Sequence, residues 1–189
     1  TPSDIALSSV PAISDLQAWL AGGDAETILA DEQAGWTAWH TTPPVGLSAD
    51  ETAIWRQSAA VLRMAQVREA GGGRWQILAS LPPGQWNISW VRDACYAIDA
   101  LTRGGHFDEA REGLRFMLDA DAGDYETEVG RPYLISVTRY FGNGVEESDW
   151  NADGPNIEFD GFGLFLGALG DLVEASSDTF WEPYWPAIR

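Results

Sequence analysis

The most regular pattern of apolar and polar positions lies in residues 89–118 and predicts two consecutive helices. The first is almost entirely apolar after its opening charges, and Gly104-Gly105 ends it, as glycine often does at a helix C-terminus. The second has two acidic residues in its first turn and carries apolar side chains on one face: Leu114, Phe116, Met117 and Leu118. The pattern therefore predicts a buried helix and a half-exposed helix in an αα-hairpin, with His106 exposed in the turn.

Two capping boxes predict where further helices begin. Ser48 is followed three residues later by Glu51, and this box predicts a helix that runs to about Ala70. Thr179 and Glu182 have the same spacing and predict another helix near the end of the chain.

The remaining segments predict two short leading helices, a strand and an apolar helix. Ser14 and Asp24 can each cap a short helix, and residues 1–13 have the composition of a linker. Branched and aromatic residues over 133–140 predict a short strand. The leucine-rich stretch 160–172 predicts the apolar helix, so the whole pattern indicates an all-α fold with a short strand pair possible in the loops.

Arg92 and Asp93 stand side by side where the apolar helix opens, just behind Trp86 and Trp90. Burying such charges is costly unless they pair or meet a polar ligand. A bidentate arginine and a carboxylate can hold neighbouring sugar hydroxyls, and an indole can cover the apolar face of a pyranose ring. The residue types leave two interpretations open, namely a sugar-binding pair and a structural ion pair.

The stretch from Ser80 to Phe116 reads SLPPGQWNISWVRDACYAIDALTRGGHFDEAREGLRF and resembles the glucoamylase-like glycoside hydrolases. This family of six-hairpin glycosidases (family 15) includes glucoamylases, glucodextranases and some bacterial trehalases. Its W-x-R-D motif, matched here by Trp90, Arg92 and Asp93, opens an inner helix of an (α/α)6 toroid. The resemblance extends more weakly from about Glu32 to Arg189.

The resemblance implies a domain organisation and a substrate class. Residues 1–47 would form a linker and leading short helices. Residues 48–189 would form the first helices of an (α/α)6 glycosidase domain that is incomplete at its C-terminus, about half of a toroid. In the family the motif holds glucose where the bond is cut. The substrate-binding residues expected from it are Arg92, Asp93, Trp90, Trp86, Asp160 and Trp150.

Inverting glycosidases need two carboxyl groups, one as general acid and one as general base. In the family the acid lies in a W-E-E context after a further outer helix, and Glu182 stands too close to Asp160 to match that position. We therefore expect both catalytic carboxylates to lie beyond Arg189. A second chain or a second copy would then complete the toroid and cover the exposed inner helices.

Three functions follow from these observations as hypotheses. The first is part of an inverting exo-acting hydrolase of α-glucosidic bonds that contributes the glucose-binding subsite. The alternative is a non-catalytic carbohydrate-binding or regulatory toroid domain. A purely structural helical domain is disfavoured by the charged pair and its two tryptophans. The linkage and the particular glucan are not defined by these residues.

The net charge restricts the partners further. The 189-residue chain has a formal charge of −18 and contains no lysine, so nucleic acid and anionic lipid would repel it. A neutral oligo- or polysaccharide suits such a surface, and ten tryptophans are consistent with sugar binding. Cys95 is the single cysteine, so an intrachain disulfide is excluded. The chain begins without methionine, and its sequence does not distinguish a cytoplasmic from an exported protein.

One acidic stretch matches a cation-binding pattern. Asp149, Asn151, Asp153 and Asp160 follow the spacing of a calcium loop, although the last ligand is Asp rather than Glu. The alternative is a turn-rich acidic loop without a metal. No other cofactor is indicated by the sequence.

Overall fold

The computed structural model describes residues 13–189 and is mostly helical, with short antiparallel strands in the loops. The predicted mostly helical class is therefore confirmed. The linker predicted at the N-terminus lies almost entirely outside the described residues. The chain divides into two units, Thr1–Thr42 and Pro43–Arg189, and each is described by itself.

The first unit contains helix α1 over residues 13–20 and helix α2, Ala25–Trp39. Asp24 caps α2 as predicted, because its Oδ1 accepts a hydrogen bond from the Thr27 backbone N–H at 2.8 Å. Ser14 lies inside α1 rather than at its cap. The Trp36 and Trp39 rings meet edge to face, 5.8 Å apart.

The second unit carries the remaining elements. Its helices are α3 (Ala49–Ala65), α4 (Val91–Arg103), α5 (Phe107–Asp119), α6 (Glu126–Val129), α7 (Asp160–Ser176), a 3-10 turn (Glu182–Tyr184) and α8 (Trp185–Ile188). Its strands are β1 (Ser89–Trp90), β2 (Arg139–Tyr140), β3 (Glu146–Glu147), β4 (Trp150–Asn151) and β5 (Gly154–Pro155). Strands β1, β2 and β3 form one antiparallel sheet in that order, and β4 pairs with β5.

Helix α3 begins as the sequence predicts and ends earlier. The capping box is confirmed, since the Ser48 N–H donates to Glu51 Oε2 at 2.8 Å and the Glu51 N–H donates to Ser48 Oγ at 3.3 Å. The helix stops at Ala65 rather than near Ala70. Gln66 there forms an antiparallel bridge with Ile77, which requires an extended backbone. A distant segment therefore ends this helix.

Helices α4 and α5 form the predicted αα-hairpin, with Gly104 at the C-cap of α4. Gly105 follows with φ +77°, a conformation that glycine adopts without a steric penalty. The prediction of a buried α4 is confirmed along one face, which includes Ile98 and Leu101, but not on the other, where Tyr96 is 62% exposed. The prediction that His106 is exposed is wrong, since it is 4% exposed. Its ring is folded back beside Gly104, so the turn itself shields it.

Helix α7 packs against α4 and α5 to close the hydrophobic core. The most deeply buried side chains of the core come from these three helices and from two flanking segments: Ile98, Leu101, Leu114, Met117, Leu172, Val91, Ile77 and Tyr140. An ion pair joins the hairpin to the segment that follows α7, where Arg111 bonds Asp178. Among the described residues, no helix is both long and apolar enough to cross a membrane.

Two predictions for the second half of the chain require correction. Thr179 and Glu182 do not form a capping box. The Glu182 N–H instead donates to the Thr179 backbone carbonyl at 3.1 Å, and a 3-10 turn follows. The strand predicted over 133–140 is limited to Arg139–Tyr140. The buried residues before it bend around the Glu146 carboxylate, which accepts the Val137 N–H and prevents extension of the ladder.

Candidate functional site

The candidate site lies where β1 passes directly into α4. Trp90 is the N-cap residue of α4 and provides no side-chain cap. The first free N–H of the helix, from Val91, instead donates to the Thr138 carbonyl at 3.0 Å. The small sheet therefore holds the start of α4 in place, together with the residues of the W-x-R-D motif.

Arg92 pairs with Asp160, the first residue of α7, and not with its neighbour Asp93. Its Nε donates to Asp160 Oδ2 at 2.6 Å and its Nη2 donates to Asp160 Oδ1 at 3.0 Å. Glu158 Oε2 lies 3.1 Å from the same Nη2. The hydrogen bond from Arg92 lowers the pKa of Asp160 below its ordinary value. The structure thus brings the predicted residues Arg92 and Asp160 together across 68 positions of sequence.

The Arg92 side chain is 43% exposed, and only two of its three nitrogens are used in these contacts. Among the described residues, no group accepts a hydrogen bond from its Nη1. Asp93 is exposed, and within the same part of the chain its carboxylate has neither a hydrogen-bond partner nor an ion-pair partner. The motif therefore presents an oriented donor and an open carboxylate next to each other.

The two predicted tryptophans also lie together. The rings of Trp86 and Trp90 are 5.4 Å apart and tilted by 59°. Trp90 is 9% exposed, whereas Trp86 is 60% exposed and leaves one side of its indole open. The guanidinium carbon of Arg139 lies 4.7 Å from the centroid of the Trp90 ring. An exposed aromatic surface of this kind can cover an apolar sugar face.

Trp150 lies in β4, is 62% exposed and contacts the Tyr125 ring at 6.3 Å. Among the described residues, the Trp150 ring makes no ring contact with Trp86 or Trp90. Its assignment to the sugar site therefore stays a prediction.

The structure uses the residues of the calcium-loop pattern in other ways. Asp149 pairs with Arg139, Asp160 pairs with Arg92, and Asn151 Oδ1 accepts the Asp153 N–H at 2.8 Å within the β4–β5 turn. Within residues 13–189, no three acidic, histidine or cysteine side chains gather as a metal site would require. Arginine and backbone groups therefore occupy these side chains, and a calcium ion at this loop stays a prediction.

Sequence reasoning missed three residues that shape the site. Glu158 Oε1 accepts a hydrogen bond from Asn156 at 2.9 Å and its other oxygen faces Arg92. Arg139 packs on Trp90, and Glu146 accepts backbone hydrogen bonds from the loops beside the sheet. Arg139 belongs to the stretch 133–140 that predicted a strand, and no local pattern marked Glu146 or Glu158 as part of a site. A tertiary contact, rather than a local pattern, gives each its position.

Comparisons with protein-family models, with curated proteins and with solved structures found no match for this chain. The glucoamylase-like assignment therefore rests on the residues of the sequence motif and stays a prediction.

Proposed function

We propose that the chain supplies the glucose-binding subsite of an inverting, exo-acting glycoside hydrolase that cleaves α-glucosidic bonds. The observation that supports this most is the open pair of groups at the start of α4. The Nη1 of Arg92 can donate to one hydroxyl while the Asp93 carboxylate accepts from its neighbour. A charge-assisted pair of this kind contributes orientation as well as affinity.

Pre-organisation of Arg92 strengthens this proposal. Its guanidinium is held by Asp160 on one edge and by Glu158 beside it, so little side-chain entropy remains to be lost on binding. Trp86 is also oriented before a sugar binds, because its ring packs against the ring of Trp90. A neutral sugar also avoids repulsion from a chain with a formal charge of −18.

The fold proposal is that this unit forms about half of an (α/α)6 toroid. The α4–α5 hairpin, with α7 packed against α4, supports an arrangement of paired helices. A cavity of about 460 Å³ is lined by apolar side chains that include Phe162 and Ile188. Phe159 and Leu166 also line this cavity, and both are exposed. A second chain or a second copy would cover this surface. Sedimentation velocity tests it, and a monomer that binds sugar as tightly as any assembly would contradict it.

A non-catalytic carbohydrate-binding domain is the second candidate, and one observation favours it. A general acid must hold a proton near neutral pH. The pKa of Asp160 is instead lowered by its hydrogen bond from Arg92, and Glu158 faces the same guanidinium. The Asp160 carboxylate is therefore suited to orienting Arg92 and not to donating a proton.

The sharpest test is Asp93→Asn, measured by calorimetric titration with maltose. Asp93 has no hydrogen-bond or ion-pair partner among the described residues, but its charge attracts Arg92 and lies in the first turn of α4, so the substitution should lower the unfolding midpoint only slightly. Loss of one charged hydrogen bond should weaken maltose binding by about tenfold. Arg92→Ala is less specific, because it also leaves Asp160 and Glu158 without their cation.

Glu174→Gln provides the matched control, since Glu174 is another exposed helical carboxylate without a partner in the described residues. It should change neither the affinity nor the midpoint. Equal maltose affinity in wild type and Asp93→Asn, or no binding by the wild type, would overturn the proposal. Since both catalytic carboxylates are expected beyond Arg189, the chain alone should not release glucose from maltose under either proposal. Release of glucose once a chain that completes the toroid is added would favour the hydrolase over the binding domain.

A further inference from the structure

The register of the small sheet places a buried arginine against the aromatic pair. Trp90 on β1 lies directly opposite Arg139 on β2, and Arg139 lies opposite Glu147 on β3. Directly opposite residues of antiparallel strands carry their side chains on the same face. The guanidinium carbon of Arg139 consequently lies 4.7 Å from the Trp90 ring centroid, within cation–π range.

Two carboxylates compensate the buried charge of Arg139. The residue is only 8% exposed, so an unpaired guanidinium there would be strongly destabilising. Its Nε donates to Glu147, and its Nη1 donates to Asp149 Oδ2 at 2.9 Å while Nη2 contacts the other oxygen of Asp149. These bonds lie around the edge of the planar group. The flat face of the guanidinium therefore stays available to pack on the indole. A lysine could not reproduce this packing, because its ammonium group has no planar face.

Trp90 in turn supports the exposed indole. The Trp86 ring lies 5.4 Å from it, and the Trp86 backbone is anchored by the Ser80 N–H, which donates to the Trp86 carbonyl at 3.0 Å. Trp86 itself is 60% exposed, so its orientation depends on the ring beneath it. Contacts thus run from Arg139 through Trp90 to Trp86.

We propose that Arg139 is a positioning residue that fixes Trp90, and through it Trp86, as the platform for the sugar ring. Arg139 does not touch the sugar in this arrangement. The role in sugar binding rests on the proposed function, whereas the orientation of the two indoles by Arg139 does not.

Circular dichroism of the coupled indoles tests the orientation without any ligand. Two tilted indoles at this separation produce an exciton couplet in the far ultraviolet. The difference between wild type and Trp86→Phe isolates this couplet from those of other tryptophan pairs. Arg139→Met should lose that component, and its maltose affinity should fall about fivefold. Arg103→Met is the control, because Arg103 is 71% exposed and pairs with Asp99 on the same helix. It should retain both properties.

Arg139→Lys provides a test of shape at constant charge, and it should remain impaired because an ammonium has no planar face. If Arg139→Met does not fold, the pair Arg139→Gln with Glu147→Gln replaces the ion pair by a neutral hydrogen bond and should also lose the couplet. A folded variant that keeps the wild-type couplet would overturn the inference, as would loss of the couplet with unchanged maltose affinity.

The two proposals fail in different ways. If wild-type protein binds no maltose, the proposed function fails while the couplet still decides whether Arg139 orients the indoles. If maltose binds and Asp93→Asn weakens it, but Arg139→Met changes neither measurement, only the role of Arg139 is refuted.

Discussion

Glu146 is the buried residue whose replacement should have the clearest effect on stability. Its side chain accepts four hydrogen bonds, and the residue is 2% exposed. Oε2 accepts from the backbone N–H groups of Gly123 and Asp124 at 2.7 and 2.9 Å and from the Tyr133 hydroxyl at 2.8 Å. Oε1 accepts from the Val137 N–H at 2.8 Å. One carboxylate therefore joins three segments of chain.

Glu146→Gln keeps the shape and removes the charge. In its best orientation the amide oxygen faces the three donors and the amide nitrogen faces the Val137 N–H, which leaves that buried donor without an acceptor. An unsatisfied buried donor costs about 1–3 kcal/mol, and the three bonds that remain lose their charge assistance. We expect a total loss of about 3 kcal/mol in the free energy of unfolding, which corresponds to a midpoint about 6–12 °C lower for a domain of this size.

Thermal unfolding followed by far-ultraviolet circular dichroism measures this loss. Glu128→Gln is the matched control, because Glu128 is exposed on α6 and has no partner among the described residues. Its midpoint should equal that of the wild type. A Glu146→Gln midpoint within about 2 °C of the wild type would refute the conclusion that the buried Glu146 carboxylate stabilises the fold. Even a loss of about 1 kcal/mol in the free energy of unfolding produces a shift of that size.

Two further predictions concern backbone packing and pH. Gly144→Ala should lower the thermal unfolding midpoint strongly, because the φ of Gly144 is +84° and an added Cβ would lie 2.2 Å from the Gly72 carbonyl oxygen. Gly142→Ala is the control in the same assay and should be nearly neutral, because an added Cβ at Gly142 would meet open space. Burial would by itself raise the pKa of Asp178, but the hydrogen bond from Arg111 lowers it below the ordinary value. Its stabilising contribution is therefore present above about pH 4 and is lost as the pH falls further, so Asp178→Asn should flatten the acid limb of denaturant-derived stability plotted against pH. An acid limb of equal slope in both proteins would contradict this.

Local sequence patterns predicted the elements whose causes are local. The capping box of Ser48 and Glu51 and the cap at Asp24 depend on residues three positions apart, and both are present. The α4–α5 hairpin followed from helical periodicity and the Gly104-Gly105 stop. These features need no knowledge of the remaining chain.

Predictions failed where a distant segment competes with the local signal. Helix α3 ends at Ala65 because Gln66 pairs with Ile77. His106 is polar and follows two glycines, which indicated exposure, yet the fold buries it. In each case burial or pairing outweighs a local preference that is worth about 1 kcal/mol.

By itself, the sequence determined the helical class, the hairpin and the side-by-side placement of Arg92 and Asp93 behind two tryptophans. Only the tertiary structure decided which partner Arg92 takes. Asp160 lies 68 positions away, and the meeting of the α4 and α7 N-termini brings its carboxylate to the guanidinium. Arg139 likewise reaches Trp90 only through the register of three short strands. The physical reason is that side-chain chemistry is local, whereas the pairing of charges and rings depends on which distant segments pack together.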